Sequence, residues 1–142
     1  MGDRTFLDTS ILVYLFAADA PEKRDRVEEI LRNGATDGSL VVSTQVMQEF
    51  HSVVTRRFRK TVSADDAERA LRRMMEFQVV IMDPDRILAA TRLARAENLN
   101  FWDALIVEAA LHGGCSLLLT EDSGMYRDFG ALRGENPFLS GA

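Results

Sequence analysis

An apolar strand that runs directly into an acid and then a helix constrains the fold of this chain more than any other feature. Residues 5–7 can form a buried strand, Asp8 follows them, and an apolar helical pattern begins at Ile11. In open α/β sheets, ligands bind beyond the carboxyl ends of the strands. Asp8 is therefore either a metal ligand or the N-cap of the next helix, and this segment alone fits both roles.

Strand patterns alternate with helical patterns along the chain, and no hairpin pattern separates them. Strands are predicted at residues 5–7, 40–42, 79–82 and 115–119, with a last edge strand at 136–139. Helices are predicted at residues 11–18, 22–31, 45–58, 63–77, 84–97 and 101–112, the second of them ended by Asn33-Gly34. This alternation predicts one α/β domain over residues 1–142, a three-layer α/β/α sandwich around a central parallel sheet.

Composition and charge limit the class of protein. The single cysteine, Cys115, cannot form an internal disulfide, and no signal peptide or apolar segment of about 20 residues is present, so we expect a cytoplasmic protein without a membrane segment. The net charge of -5 argues mildly against a nucleic-acid role, because such proteins usually carry a basic surface. Positive charge is concentrated in one basic cluster, Arg56, Arg57, Arg59 and Lys60. This cluster is either a solvated surface or a contact for an RNA backbone.

Four acids fall where the predicted sheet would bring them to one edge. Asp8 follows the first strand and Asp122 closely follows the fourth. Glu49 lies in the second turn of the helix after strand two, and Asp103 lies in the first turn of the helix before strand four. Clustered carboxylates raise one another's pKa, and a hard divalent cation such as Mg²⁺ or Mn²⁺ removes that cost. Phosphodiester hydrolysis is the chemistry that most needs such an acidic metal site.

Each acid also has a purely structural explanation. Asp8 and Asp103 can belong to helix caps. Asp122 can start a turn, and Glu49 can be solvated. Asp83 also follows a strand, but the proline after it favours a helix cap, and we exclude Asp83 from the site. Spacing alone leaves the metal site and these structural roles equally open.

Four segments of the chain resemble the four acidic motifs of PIN-domain nucleases, in particular the VapC-type toxins of type II toxin–antitoxin systems. The segments span nearly the whole chain in the family's order: Asp8-Thr9-Ser10, Gln48-Glu49, Phe101-Trp102-Asp103-Ala104-Leu105-Ile106 and Leu119-Thr120-Glu121-Asp122. The motif around Asp103 is the most specific of the four. The fold that the resemblance implies is the PIN α/β/α sandwich, in agreement with the alternation of strands and helices.

The resemblance also implies a set of site residues. The residues that would act in catalysis and hold Mg²⁺ or Mn²⁺ are Asp8, Glu49, Asp103 and Asp122. Ser10 and Thr120 match small polar positions that would support these ligands. Glu121, beside Asp122, is an alternative fourth ligand. Trp102 is expected to pack, although its place beside Asp103 leaves base stacking open.

The function implied by the resemblance is metal-dependent hydrolysis of RNA by an endoribonuclease toxin. The implied partners are an RNA substrate, a second copy of the chain in a homodimer, and a cognate VapB-type antitoxin that occludes the site. The alternative is a catalytically weak binding module with a PIN fold, which would act through protein complex formation. The acidic net charge and the small basic cluster favour this alternative.

Overall fold

Six strands form one sheet in the computed structural model, which describes residues 3–139; the ends of the predicted 1–142 domain lie outside the described residues. The strands are β1 (Arg4–Leu7), β2 (Leu40–Ser43), β3 (Gln78–Val80), β4 (Cys115–Leu119), β5 (Asp128–Phe129) and β6 (Leu132–Glu135). Their order across the sheet is β3-β2-β1-β4-β6-β5. Neighbouring strands are parallel except β5 and β6, which are antiparallel.

Helices cover both faces of this sheet. They are α1 (Thr9–Leu12), α2 (Pro21–Asp37), α3 (Thr44–Arg57), α4 (Ala64–Met74), α5 (Pro84–Glu97) and α6 (Phe101–His112), with a 3₁₀ turn at Val13–Phe16. The connection from β1 to β2 and the connection from β3 to β4 run in opposite directions, so right-handed crossovers place their helices on opposite faces. The predicted three-layer α/β/α architecture is confirmed. Among the described residues, no helix is long and apolar enough to cross a membrane.

The first strand lies in the interior of the sheet, as predicted. Phe6 and Leu7 are fully buried. The neighbours of β1 are β2 and β4, and the order of the strands reverses direction between β1 and β4. Parallel α/β sheets bind ligands at such a switch point, beyond the carboxyl ends of the strands. The fold therefore places Asp8, after β1, and Thr120, after β4, at the usual position of a site.

Helix α2 continues beyond its predicted end. We expected Asn33-Gly34 to end it, but the helix runs to Asp37. Gly34 is buried instead, and a Cβ atom added to it would lie 2.3 Å from Cγ of Leu40. The glycine therefore allows β2 to pack closely against the helix, and the left-handed residue that ends α2 is Gly38, with φ of 68°.

The predicted edge strand at residues 136–139 is wrong. Asn136 accepts a hydrogen bond at 2.8 Å from the backbone nitrogen of Phe138, and this closes a turn in place of a strand. The edge is formed instead by the β5–β6 hairpin, which turns at Gly130 with φ of 68°. The two residues of β5 are too few to show an alternating pattern in the sequence.

Replacing Gly134 by alanine should destabilise the fold by about 2–3 kcal/mol, because overpacking against rigid backbone costs this much. A Cβ atom on Gly134 would lie 1.7 Å from the carbonyl oxygen of Met125, which cannot move away as a side chain would. Urea denaturation measures the change. The exposed neighbour Arg133 supplies the control, since Arg133→Ala should change the free energy of unfolding by less than about 0.5 kcal/mol. Equal stability of both variants would contradict the close packing of β6.

Candidate active site

Asp8 lies directly beyond β1 and is only 8% exposed. Its Oδ1 atom accepts a hydrogen bond at 2.8 Å from the backbone nitrogen of Thr9, so Asp8 does cap α1. Its Oδ2 atom accepts from Ser10 Oγ at 3.1 Å and from Thr120 Oγ1 at 2.8 Å. Burial raises the pKa of Asp8 against these hydrogen bonds, and the nearby Glu49 carboxylate raises it further. The capping role and a place in an acidic site are therefore compatible.

Glu49 is held towards Asp8 rather than free in solvent. Thr9 Oγ1 donates to Oε1 of Glu49 at 3.0 Å, and Gln45 Nε2 donates to Oε2 at 3.3 Å. The Oε1 atom of Gln45 is buried and has no hydrogen-bond partner among the described residues. Sequence reasoning did not select Thr9 or Gln45. Gln45 could have been found, because it lies one helical turn before Glu49 on the same face.

Asp103 and Asp122 meet side chain to side chain. Burial, together with the hydrogen bond and the negative charge of Asp122, raises the pKa of Asp103 to about 6. Asn100 opposes this rise by donating from Nδ2 to Asp103 Oδ2 at 2.9 Å, and its Oδ1 accepts from the backbone nitrogen of Asp103 at 2.9 Å. The negative charge of Asp8 also contributes to the rise. Asp103 is therefore partly protonated at mildly acidic pH.

The segment after β4 connects these acids. Thr120 is fully buried, and its Oγ1 atom donates to Asp8 while it accepts from the backbone nitrogen of Asp122 at 3.0 Å. Asp122 itself faces Asp103. The Glu121 side chain instead makes an ion pair with Lys23 at 2.8 Å. Of the two alternative fourth acids, the structure brings Asp122 into the cluster and engages Glu121 elsewhere.

The four acids fit a hard divalent cation through the chemistry of their donors. Burial, with a smaller contribution from neighbouring negative charge, raises the pKa of Asp8 and of Asp103. Carboxylate oxygens suit Mg²⁺ and Mn²⁺, and a bound cation would favour the charged form of both groups. A Cβ atom on Gly124 would lie 3.2 Å from Asp122 Oδ1 and 3.8 Å from Asp103 Oδ2, so this glycine lies directly beside both carboxylates. Within residues 3–139, no three acidic, histidine or cysteine side chains already converge as a metal-binding group. Asp103 and Asp122 form one pair, and Asp8 and Glu49 lie beside each other.

The basic cluster lies towards the other end of α3, and all four of its side chains are exposed: Arg56, Arg57, Arg59 and Lys60. None of them forms an ion pair with another described residue. Arg56 follows Glu49 by seven residues on the same helix, which is about 10 Å along the axis. The cluster is therefore uncompensated positive charge within reach of the acidic site.

Trp102 does not pack as expected. It is 63% exposed, although Ile106, one turn later on the same helix face, is buried. Asp103 is partly exposed, whereas Val107, one turn later on the same face, is fully buried. The first turn of α6 therefore projects beyond the layer that buries the second turn, and the Trp102 indole lies at the surface against the Phe101 ring, with 5.4 Å between the ring centres.

Comparisons with known proteins agree with the α/β/α fold of this chain. The family model described as PIN domain matches residues 5–129. A toxin–antitoxin complex from Klebsiella pneumoniae is similar in structure, with a TM-score of 0.69 and 18% identity over 94% of this chain and 98% of the other. The sarcin–ricin loop cleaving toxin VapC20 of Mycobacterium tuberculosis has a TM-score of 0.67 and 20% identity, over 91% and 98% of the two chains. VapBC2 of Rickettsia felis bound to a promoter DNA fragment has a TM-score of 0.64 and 19% identity, over 93% and 97%. No curated protein sequence matches significantly.

Proposed function

The chain belongs to the PIN domain family, and on that premise we propose that it is a Mg²⁺- or Mn²⁺-dependent endoribonuclease toxin of the VapC type. The observation that supports the proposal is that acids from four separate segments lie as two neighbouring pairs near the switch point of the sheet, Asp8 with Glu49 and Asp103 with Asp122. Such a group of carboxylates is costly to assemble without a cation. The sequence similarity to the family covers nearly all of the chain, including all four acids.

All four acids would hold the ion: Asp8, Glu49, Asp103 and Asp122. A bound Mg²⁺ or Mn²⁺ supplies Lewis-acid chemistry, which stabilises the negative charge that develops on a phosphodiester during hydrolysis. Thr120 orients Asp8 by donating to Oδ2. Because the pKa of Asp103 is about 6, this carboxyl group is largely ionised at neutral pH, the form that binds a cation.

RNA is the proposed substrate, and a VapB-type antitoxin the proposed inhibitor. The basic cluster can neutralise the phosphates of an RNA backbone at a distance from the acids. One structural relative is described as cleaving the sarcin–ricin loop, and others were determined as toxin–antitoxin complexes. We also propose a homodimer in the cytoplasm, since Ile81, Ile87 and Leu88 expose apolar surface that a second copy would cover.

A catalytically weak PIN-fold binding module is the second candidate. Its support is the acidic net charge of -5 and the fact that no three ligands yet converge in the part of the chain that the structure describes. The two candidates differ in metal affinity. Calorimetry that detected no Mn²⁺ binding at millimolar concentration would favour the binding module.

Incubation of the purified protein with RNA tests the nuclease proposal. We expect cleavage with Mn²⁺, no cleavage with EDTA, and products that carry a 5′-phosphate. The RNA set should include a sarcin–ricin loop fragment and an unrelated single strand, because the target is set by shape and loops. Asp8→Asn tests whether the activity belongs to this site rather than to a contaminating ribonuclease. Cleavage that survives EDTA and is unchanged in this variant would contradict the proposal.

RNA that enters the site should also quench the fluorescence of Trp102. This residue is the only tryptophan in the chain, it is 63% exposed, and it lies next to Asp103. A base that stacks on the indole contributes about 1–3 kcal/mol, so Trp102→Ala should weaken RNA binding about tenfold, while Trp102→Phe should retain part of the affinity. The measurement is a titration with RNA in EDTA, where no cleavage occurs. Full binding without any change in emission would contradict stacking.

A further inference from the structure

Both oxygens of the Glu121 carboxylate accept hydrogen bonds from side chains outside the acidic cluster. Oε2 accepts from Lys23 Nζ at 2.8 Å, and Oε1 accepts from the Tyr14 hydroxyl at 2.5 Å. Lys23 also donates to the Tyr14 hydroxyl at 3.2 Å. Its ammonium group lies 4.9 Å from the ring centre of Tyr14 and 5.2 Å from that of Phe138. The ion pair is therefore flanked by two aromatic rings, which lower its exposure to water.

The backbone of residues 121–122 is linked to Asp8 through two hydroxyl groups. The Glu121 nitrogen donates to Ser10 Oγ at 3.0 Å, and Ser10 Oγ donates to Asp8 Oδ2. The Asp122 nitrogen donates to Thr120 Oγ1, which also donates to Asp8 Oδ2. Two hydrogen-bond chains thus tie this segment to the centre of the acidic cluster. The ion pair with Lys23 is a third link, and it holds the Glu121 side chain.

We propose that Lys23 and Glu121 are positioning residues that fix the segment after β4 so that Asp122, and not Glu121, faces Asp103. The proposal rests on the proposed metal-dependent function and adds to it two residues that would not touch the ion. A carboxylate with both oxygens engaged keeps its residue from rotating. If Glu121 were released, the segment after β4 would no longer be held in place, and Asp122 would lose its fixed position opposite Asp103.

The experiment measures Mn²⁺ affinity by calorimetry for the full-length wild type and for variants of this ion pair. Lys23→Met should weaken Mn²⁺ binding about tenfold, since loss of partners that orient metal ligands costs about 10–100-fold. Lys23→Arg keeps the charge and should stay within about threefold of the wild type. The exchanged pair Lys23→Glu with Glu121→Lys should recover most of the affinity lost in Lys23→Met. Thermal unfolding of every variant shows whether the fold is intact.

Arg26→Met is the matched control. Arg26 lies one turn after Lys23 on α2 and forms an exposed ion pair with Glu29, so the variant removes the same charge and one ion pair. Its Mn²⁺ affinity should equal that of the wild type. A change in Lys23→Met that Arg26→Met shares would be a general charge effect and would overturn the proposal.

The remaining outcomes separate this proposal from the proposed function. No Mn²⁺ binding by the wild type would overturn both. Wild-type binding with unchanged affinity in Lys23→Met would overturn the positioning role alone. Loss of binding in the exchanged pair would also overturn it, because it would show that Glu121 is needed as a carboxylate near the ion. Recovery in the exchanged pair supports it.

Discussion

Replacing Asp103 by asparagine is expected to abolish RNA cleavage and, in the absence of divalent metal, to make the fold more stable. The variant removes one of the negative charges that face each other at the switch point and keeps the shape of the side chain. Lewis-acid stabilisation is worth several kcal/mol, so loss of a ligand should reduce the cleavage rate about 10³-fold. The stability gain comes from removing a charge that is disfavoured by burial and by the neighbouring Asp122, which together raise the pKa of Asp103 to about 6.

The stability gain of Asp103→Asn should increase with pH, because the pKa of Asp103 is raised in the folded protein. The folded carboxyl group has a pKa of about 6 and the ordinary value is 3.8, so between these values the folded state binds more protons than the unfolded state. The free energy of unfolding of the metal-free wild type therefore falls as pH rises through this window, and the penalty is complete above it. Because Asp103 is half-exposed, we expect about 1–2 kcal/mol after allowance for solvent screening.

Urea denaturation in EDTA at pH 4 and pH 7.5 measures this effect. Asp103→Asn should gain stability over the wild type at pH 7.5 and little at pH 4. Asp83→Asn is the control, because Asp83 also caps a helix just after a strand but lies outside the cluster. A stability gain in both variants, or cleavage that persists in Asp103→Asn, would show that Asp103 is not part of an acidic site.

Replacing Thr120 by valine should cost both stability and metal affinity, although the two side chains are nearly the same size. Thr120 is fully buried, and its hydroxyl both donates to Asp8 and accepts from the backbone of Asp122. The loss of a buried hydrogen bond to a charged group should cost about 2–3 kcal/mol. This hydrogen bond lowers the pKa of Asp8, so without it that pKa rises further and protons compete better with the ion. Mn²⁺ affinity should fall about 10–100-fold.

Thr120→Ser keeps the hydroxyl and separates its role from packing. We expect the serine variant to bind Mn²⁺ within about threefold of the wild type, with a smaller loss of stability from the missing methyl group. Calorimetry and urea denaturation of the two variants give the comparison. Equal Mn²⁺ affinity in the valine and serine variants would mean that the hydroxyl does not support Asp8.

The sheet and the meeting of its acids could be predicted because they depend on short, strong patterns. Each buried parallel strand is an apolar run, and the acid or hydroxyl that follows it must lie at the same edge as the others. The place of Asp8 followed from the strand before it, whereas its role and the choice of Thr120 came from the resemblance to the family motifs. Asp103 was recognisable from the motif around it, and its contact with Asp122 follows from their place at that edge.

The remaining features depend on contacts that a local pattern does not carry. Gly34 reads as a helix end, yet it is needed for the approach of Leu40, a residue beyond the helix. The β5–β6 hairpin gains its place by pairing with β4, and its own strands are too short to be recognised. The direction of the Glu121 side chain is set by Lys23, 98 residues earlier in the chain. Contacts between residues so far apart in the sequence cannot be predicted from a local sequence pattern.

Anomalous diffraction from crystals grown with Mn²⁺ locates the ion without reference to activity. We expect one or two peaks bound by carboxylate oxygens of the four acids, at about 2.0–2.2 Å, the distance typical of small hard cations: Asp8, Glu49, Asp103 and Asp122. Glu121 should remain paired with Lys23. Absence of a peak at this edge of the sheet at millimolar Mn²⁺, or a peak bound by Glu121 in place of Asp122, would contradict the proposed metal site.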